Sequence, residues 1–150
     1  MKQKDAFRFT EKCLYDYKTN LACIQVLKED LKIEEEEGSS VHAQNYQLTF
    51  GFSGEPSNPV HDRLMKLEGL KERIKILERW TRPITQLLKD LDAPENLDDS
   101  DNKILLEIFK YMYIGKNKMK SVADELNLSE RGFARLRRKL VYTAASYLGV

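Results

Sequence analysis

Apolar residues recur along this chain at the three- and four-residue steps of an α-helix, and the breaks in that rhythm divide the chain into segments. Phe7, Leu14, Tyr17, Leu21, Ile24 and Leu31 keep the step from about Asp5 to Ile33, which predicts an amphipathic first helix. The run Glu34 to Glu37 and then Gly38 follow. Adjacent negative charges oppose the dipole at a helix C-terminus, so this run reads as a solvated, fraying end. From Gly38 to Ser57 the helical period disappears and Ser, Gly, Asn and Pro accumulate, the composition of a loop or linker at about 38–58. The alternation of Tyr46, Leu48, Phe50 and Phe52 leaves open a short strand or hairpin arm within it.

Asn58-Pro59 reads as an N-cap followed by proline at the first helical position, where the missing N–H had no partner to lose. The helix behind it carries Leu67, Leu70, Ile74, Leu77, Ile84, Leu88 and Leu91 in a heptad-like seam interrupted by Thr81. Such a seam needs a partner helix: the first helix, a second copy of the chain, or both. A homodimer would use Leu67, Leu70, Ile74 and Leu77. Pro83 is expected to kink or split this helix near Trp80 to Arg82. Asp92 to Asp99 is acidic and turn-like, and Asp99 or Ser100 can cap a helix that turns Ile104, Leu105, Ile108, Phe109 and Met112 inward and stops near Gly115. These elements predict an all-α fold, with a helical arm over 1–97 (a long hairpin or coiled coil) and a separate C-terminal domain over 98–150.

The densest local signal lies between Met119 and Val150. Two helices crossing through a short turn need a small residue at the crossing, a residue tolerant of positive φ in the turn, and an apolar set that locks the pair. Ala123 is the first, Asn127 the second, and Val122, Leu126, Leu128, Phe133 and Leu136 the third. Ser129 is placed to cap the second helix by accepting from the N–H of Arg131 or Gly132, and Gly149 lies beyond its end. This is the pattern of a helix-turn-helix.

Charge changes the picture only when the chain is divided. The net charge is +1, but residues 101–150 carry ten Lys and Arg against five Asp and Glu, while residues 1–100 carry fifteen against nineteen. A basic C-terminal third points to a polyanion. An α-helix fits the major groove, and Arg can bond bidentately to guanine O6 and N7. Glu130, Arg131, Ala134 and Arg135 are therefore the candidate base readers, and Lys116, Lys118, Lys120, Arg137, Arg138 and Lys139 the candidate phosphate contacts, which set register without reading sequence.

Other chemistries find little footing. Cys13 and Cys23 lie in one predicted helix without a second cysteine pair or a nearby histidine, and read as reduced core thiols. His42 falls in the linker and His61 in a first helical turn, neither with a nucleophile or carboxylate at a triad's spacing. No metal-ligand spacing or phosphate-cradling glycine loop is found, so the reading is a non-enzyme without a cofactor. Charges throughout Met1 to Phe9 and the lack of an apolar stretch of about 20 residues predict a cytoplasmic protein with no membrane partner.

Residues Asn58 to Val150 resemble the phage transcriptional activators of the RinA and ArpU type, whose C-terminal domain is similar to region 4 of bacterial sigma factors. The resemblance rests on Ser57-Asn58-Pro59 opening a heptad-rich helix, on a helix ending Phe109-Lys110-Tyr111-Met112-Tyr113, and on Ser121 to Leu140. It implies a late-gene or packaging-gene activator in a bacterial host cell, binding double-stranded DNA, with the arm dimerising or contacting RNA polymerase. Gly132 and Ala134 stand where the family carries larger polar or aromatic residues. The glycine either loosens the helix start by about 1 kcal/mol relative to alanine or lets the backbone approach a phosphate. Two rivals remain at this stage: a DNA-packaging protein such as a small terminase subunit, and a helical adaptor that binds protein through the Leu67 to Leu91 seam.

Overall fold

The computed structural model describes residues 2–49, 59–93 and 100–150, with the side chains of 37–49 and 100 left aside. Among the described residues the chain is all-α: α1 (Gln3–Thr49), α2 (Pro59–Leu91), α3 (Ser100–Ile108) running into a π-helical segment (Phe109–Ile114), α4 (Met119–Glu125) and α5 (Glu130–Leu148).

α1 is longer than the sequence pattern predicts. The helix continues through the acidic run and past Gly38 to Thr49. The linker expected at 38–58 is thus corrected over 38–49, which is helical and holds the backbone of His42, Tyr46 and Leu48. Its remainder, with Phe50 and Phe52, lies outside the described residues. The acidic run is not a fraying end because α2 supplies its counter-charges. Lys66 Nζ lies 2.6 Å from Glu34 and Lys71 Nζ 3.9 Å from Glu35, and Arg63 donates to the Glu34 carbonyl. Once a helix is nucleated, each further residue costs little, and a single glycine does not stop it.

Two compact units divide the chain as 21–78 and as 1–20 with 79–150. In the first, Ile24, Leu27 and Leu31 of α1 pack with Leu70, Ile74 and Leu77 of α2, and Lys28 pairs with Glu78 at 3.0 Å. Pairing of residue 28 with 78 and of 34 with 66 makes the two segments antiparallel. Of the partners expected for the seam, the first helix is the one observed. Leu70, Ile74 and Leu77 are packed against α1, while Leu67 is half-buried. A helix tethered in the same chain is present at far higher effective concentration than a second copy.

The second unit corrects the expected boundary near residue 97. Leu14 and Tyr17 of α1 and Ile84, Leu87 and Leu91 of α2 share one core with Leu105, Ile108, Phe109, Met112, Tyr113, Val122, Phe133, Leu136 and Leu140. A domain of about fifty residues is marginal in the apolar surface it can bury, and the segments from α1 and α2 enlarge its core. Tyr17 Oη and Thr85 Oγ1 are hydrogen-bonded at 2.7 Å, and Phe9 stacks edge-on against Trp80 at 5.0 Å. α2 passes Pro83 as one helix rather than splitting. Cys13 lies in this core and burial, then the charge of Asp16, raises its thiol pKa, whereas Cys23 is exposed, against the expectation of two core thiols. No described helix is long and apolar enough to cross a membrane.

Candidate nucleic-acid interface

The approach to α4 is set by backbone. The π-helical segment ends at Gly115, whose N–H donates to the Lys110 carbonyl at 2.9 Å. A Cβ there would meet the Tyr111 carbonyl oxygen at 2.8 Å. The chain then turns through Lys116 at φ 55° and starts α4 at Met119.

Between α4 and α5 the sequence expectations are met residue by residue. Asn127 occupies the left-handed region at φ 55°, where asparagine is tolerated better than most residues. Ala123 and Val122 are buried, Leu126 and Leu128 pack on the core, and the Leu128 N–H donates to the Ala123 carbonyl at 2.9 Å. Ser129 caps α5 by accepting from the Gly132 N–H at 3.1 Å. The backbone donor that could have met a phosphate is thus already engaged, and a Cβ at 132 would sit 3.1 Å from the capping hydroxyl. Gly149 closes the helix in the left-handed region at φ 76°.

α5 turns Phe133, Leu136, Leu140, Val141, Ala144 and Ala145 inward. On the opposite face Arg131, Arg135, Arg138 and Tyr142 are exposed, and at 3.6 residues per turn they fall within roughly 60° of one another. Arg135 keeps 65% side-chain exposure, with Nη1 3.8 Å from Asp101 of α3. Lys139 Nζ lies 2.9 Å from the same carboxylate. The hydrogen bond from Lys139, and then the lysine and arginine charges, hold the Asp101 carboxyl below its ordinary range. Among the described residues Arg131 and Arg138 make no ion pair. Glu130 is exposed and Ala134 half-buried.

Arg137 is corrected from a phosphate contact to an internal anchor. Its Nε donates to Glu11 of α1 at 2.9 Å, and its guanidinium lies over Phe7 at 5.6 Å. The Tyr113 hydroxyl donates to the same Glu11 oxygen at 2.9 Å. Burial works against the guanidinium's charge, but the hydrogen bond and charge of Glu11 outweigh it and raise its pKa. Burial and Glu11 together push the Tyr113 phenol far above its ordinary range. Nothing local marks Arg137 as internal, but its helical position does: it lies four residues from both Phe133 and Val141, on the buried side.

No known family model, curated protein or solved structure matches this chain. The remaining candidates differ in what already holds them. Lys118 and Lys120 are exposed at the start of α4 and make no ion pair among the described residues. Lys116 is exposed too, but its ammonium donates to the Tyr15 carbonyl at 2.5 Å and sits 4.9 Å over the Tyr15 ring. The structure therefore brings Lys118, Lys120, Arg131, Arg135, Arg138 and Lys139 to exposed positions on α4 and α5 and withdraws Arg137. Asp101 and Glu11 escaped the sequence reading. Their partners lie 38 and 126 residues away, a distance over which periodicity carries no signal.

Proposed function

We propose that this protein is a sequence-specific DNA-binding transcriptional regulator that lays α5 in the major groove, with the two helices α4 and α5 acting as a helix-turn-helix. The observation that carries the reading is the ridge Arg131, Arg135, Arg138. Three exposed guanidiniums follow a capped helix start, on the face opposite the one that packs on the core. Arg131 and Arg135, with Glu130 and Ala134 beside them, are the proposed base readers. Arg138, Lys139, Lys118 and Lys120 are the proposed phosphate contacts. With the resemblance to the RinA and ArpU activators, the proposed role is activation of phage or prophage late genes in the bacterial cytoplasm, with RNA polymerase as the partner of the α1 and α2 pair.

Selection of bound duplexes from a random pool tests this. The expected result is an enriched site, with Arg135→Ala weakening binding to it about five- to 150-fold, the equivalent of about 1–3 kcal/mol. No enriched sequence, or an Arg135→Ala variant with unchanged affinity for the enriched one, would falsify the reading. Mass in solution belongs in the same experiment, because a closed ring of many copies returns the packaging-protein reading.

A further inference from the structure

The first turns of α1 carry cations that the core does not use. Thr10, Leu14 and Tyr17 face inward, while Lys4, Arg8 and Lys12 are exposed at four-residue intervals. They form one ridge about 12 Å long, at 1.5 Å rise per residue. None of the three makes an ion pair among the described residues. The contrast with unit 21–78 is marked, since Lys28, Lys66 and Lys71 each have a carboxylate there. This stretch of α1 is fastened beside α5. Glu11 holds Arg137, Phe7 stacks edge-on with Tyr142 at 5.7 Å, and Tyr15 receives Lys116. Phe7 and Glu11 lie on the turns that hold Lys4, Arg8 and Lys12. Tyr142 closes the same α5 ridge that holds Arg131, Arg135 and Arg138. Of the acidic residues on these turns, Glu11 is engaged by Arg137, which leaves Asp5 and Asp16 as the carboxylates beside the row.

From this we infer that Lys4, Arg8 and Lys12 form a second DNA-backbone contact, gripping phosphates that flank the segment read by α5. The inference rests on the proposed function and adds a part of the chain assigned there to neither DNA reading nor phosphate contact. Charge complementarity selects the partner. A duplex carries about one negative charge per 1.7 Å of axis, so a row of this length meets several phosphates at once. The contact reads no bases, and its contribution is affinity, register and salt dependence.

The test is a salt titration of the full chain on its selected duplex and on a random one, for the parent, Arg135→Ala, and the triple variant Lys4→Gln, Arg8→Gln, Lys12→Gln. All three substituted positions are exposed, and an unchanged thermal melt verifies the fold. The expected result for the triple variant is a salt slope lower by about 2.7 and affinity about a hundredfold weaker at 0.15 M salt, equally on both duplexes. Arg135→Ala loses affinity mainly for the selected one. If the parent binds and Arg135→Ala weakens it while the triple variant keeps the parental slope, the second contact is wrong and the proposed function stands. If the parent binds neither duplex, both are wrong.

Discussion

Replacing Arg137 with alanine should lower the stability of the protein rather than remove a DNA contact. The guanidinium and the Glu11 carboxylate keep only 25% and 16% side-chain exposure. Removal of the arginine leaves Glu11 in that environment with the Tyr113 hydroxyl as its remaining hydrogen-bond partner. Breaking a fully buried pair from one side costs about 3–5 kcal/mol. Partial exposure lets water return to the carboxylate, which lowers this to about 2–3 kcal/mol. Loss of the contact with Phe7 adds about 0.5–1 kcal/mol. A total near 3 kcal/mol corresponds to a melting temperature lower by about 6–12 °C for a chain of this size. Trp80, the single tryptophan, packs on Phe9 in the same unit and reports its unfolding by fluorescence. Arg138→Ala, one residue on but exposed, should melt within about 0.5 kcal/mol of the parent. An Arg137→Ala protein that melts like the parent and instead lowers the DNA salt slope by about 1 would refute the anchor and restore Arg137 to the phosphate contacts.

Asn127 is held at φ 55°, so Asn127→Val should destabilise by about 1–2 kcal/mol while Asn127→Gly is tolerated, as read by urea denaturation. Gly115→Ala drives a Cβ against the Tyr111 carbonyl and should cost about 1–3 kcal/mol by the same assay, with no rescue from a higher helix propensity. The Asp101 carboxyl, held down first by its hydrogen bond from Lys139, should titrate below the ordinary aspartate range. Its contribution to stability is present above the unfolded-state value and disappears as pH falls through the lower folded one. A carboxyl carbon titration by NMR checks this, and Lys139→Gln should move the midpoint back up. Because that carboxylate occupies cations proposed for DNA, Asp101→Asn should tighten binding to random duplex by a few-fold; equal or weaker binding would show that it orients Arg135 and Lys139 rather than competing for them.

What was legible in the sequence was what neighbouring residues decide among themselves. The turn between α4 and α5 needs a small residue, a left-handed residue and a cap within seven positions. Ala123, Asn127 and Ser129 occupy them as expected. The all-α class and the end of the third helix at Gly115 were read for the same reason. The extent of α1 was not, because the acidic run looks like a helix end until Arg63, Lys66 and Lys71 are set beside it. Nor was the division into units, since a change in charge near residue 97 marks a difference in surface, whereas units are made by core. Leu14 and Ile84 join the core of α3 to α5 although their local composition belongs to the arm.

The candidate site shows the same limit within a single helix. Arg135, Arg137 and Arg138 are equivalent as a basic cluster, yet only a period of 3.6 separates them: residues 135 and 138 fall with 131 and 142, and residue 137 with 133, 140 and 141. Periodicity therefore could have withdrawn Arg137 from the contact set, but not identified what receives it. A half-buried guanidinium is held by a counter-charge, and Glu11 comes from a helix that begins 127 residues earlier than Arg137's own. That pairing fixes the start of α1 beside α5, which is why the cations at 4, 8 and 12, a solvated charge run when taken alone, become candidates for the same partner as the ridge. The surface proposed to meet DNA is then shaped by a segment whose sequence carries no DNA-binding motif.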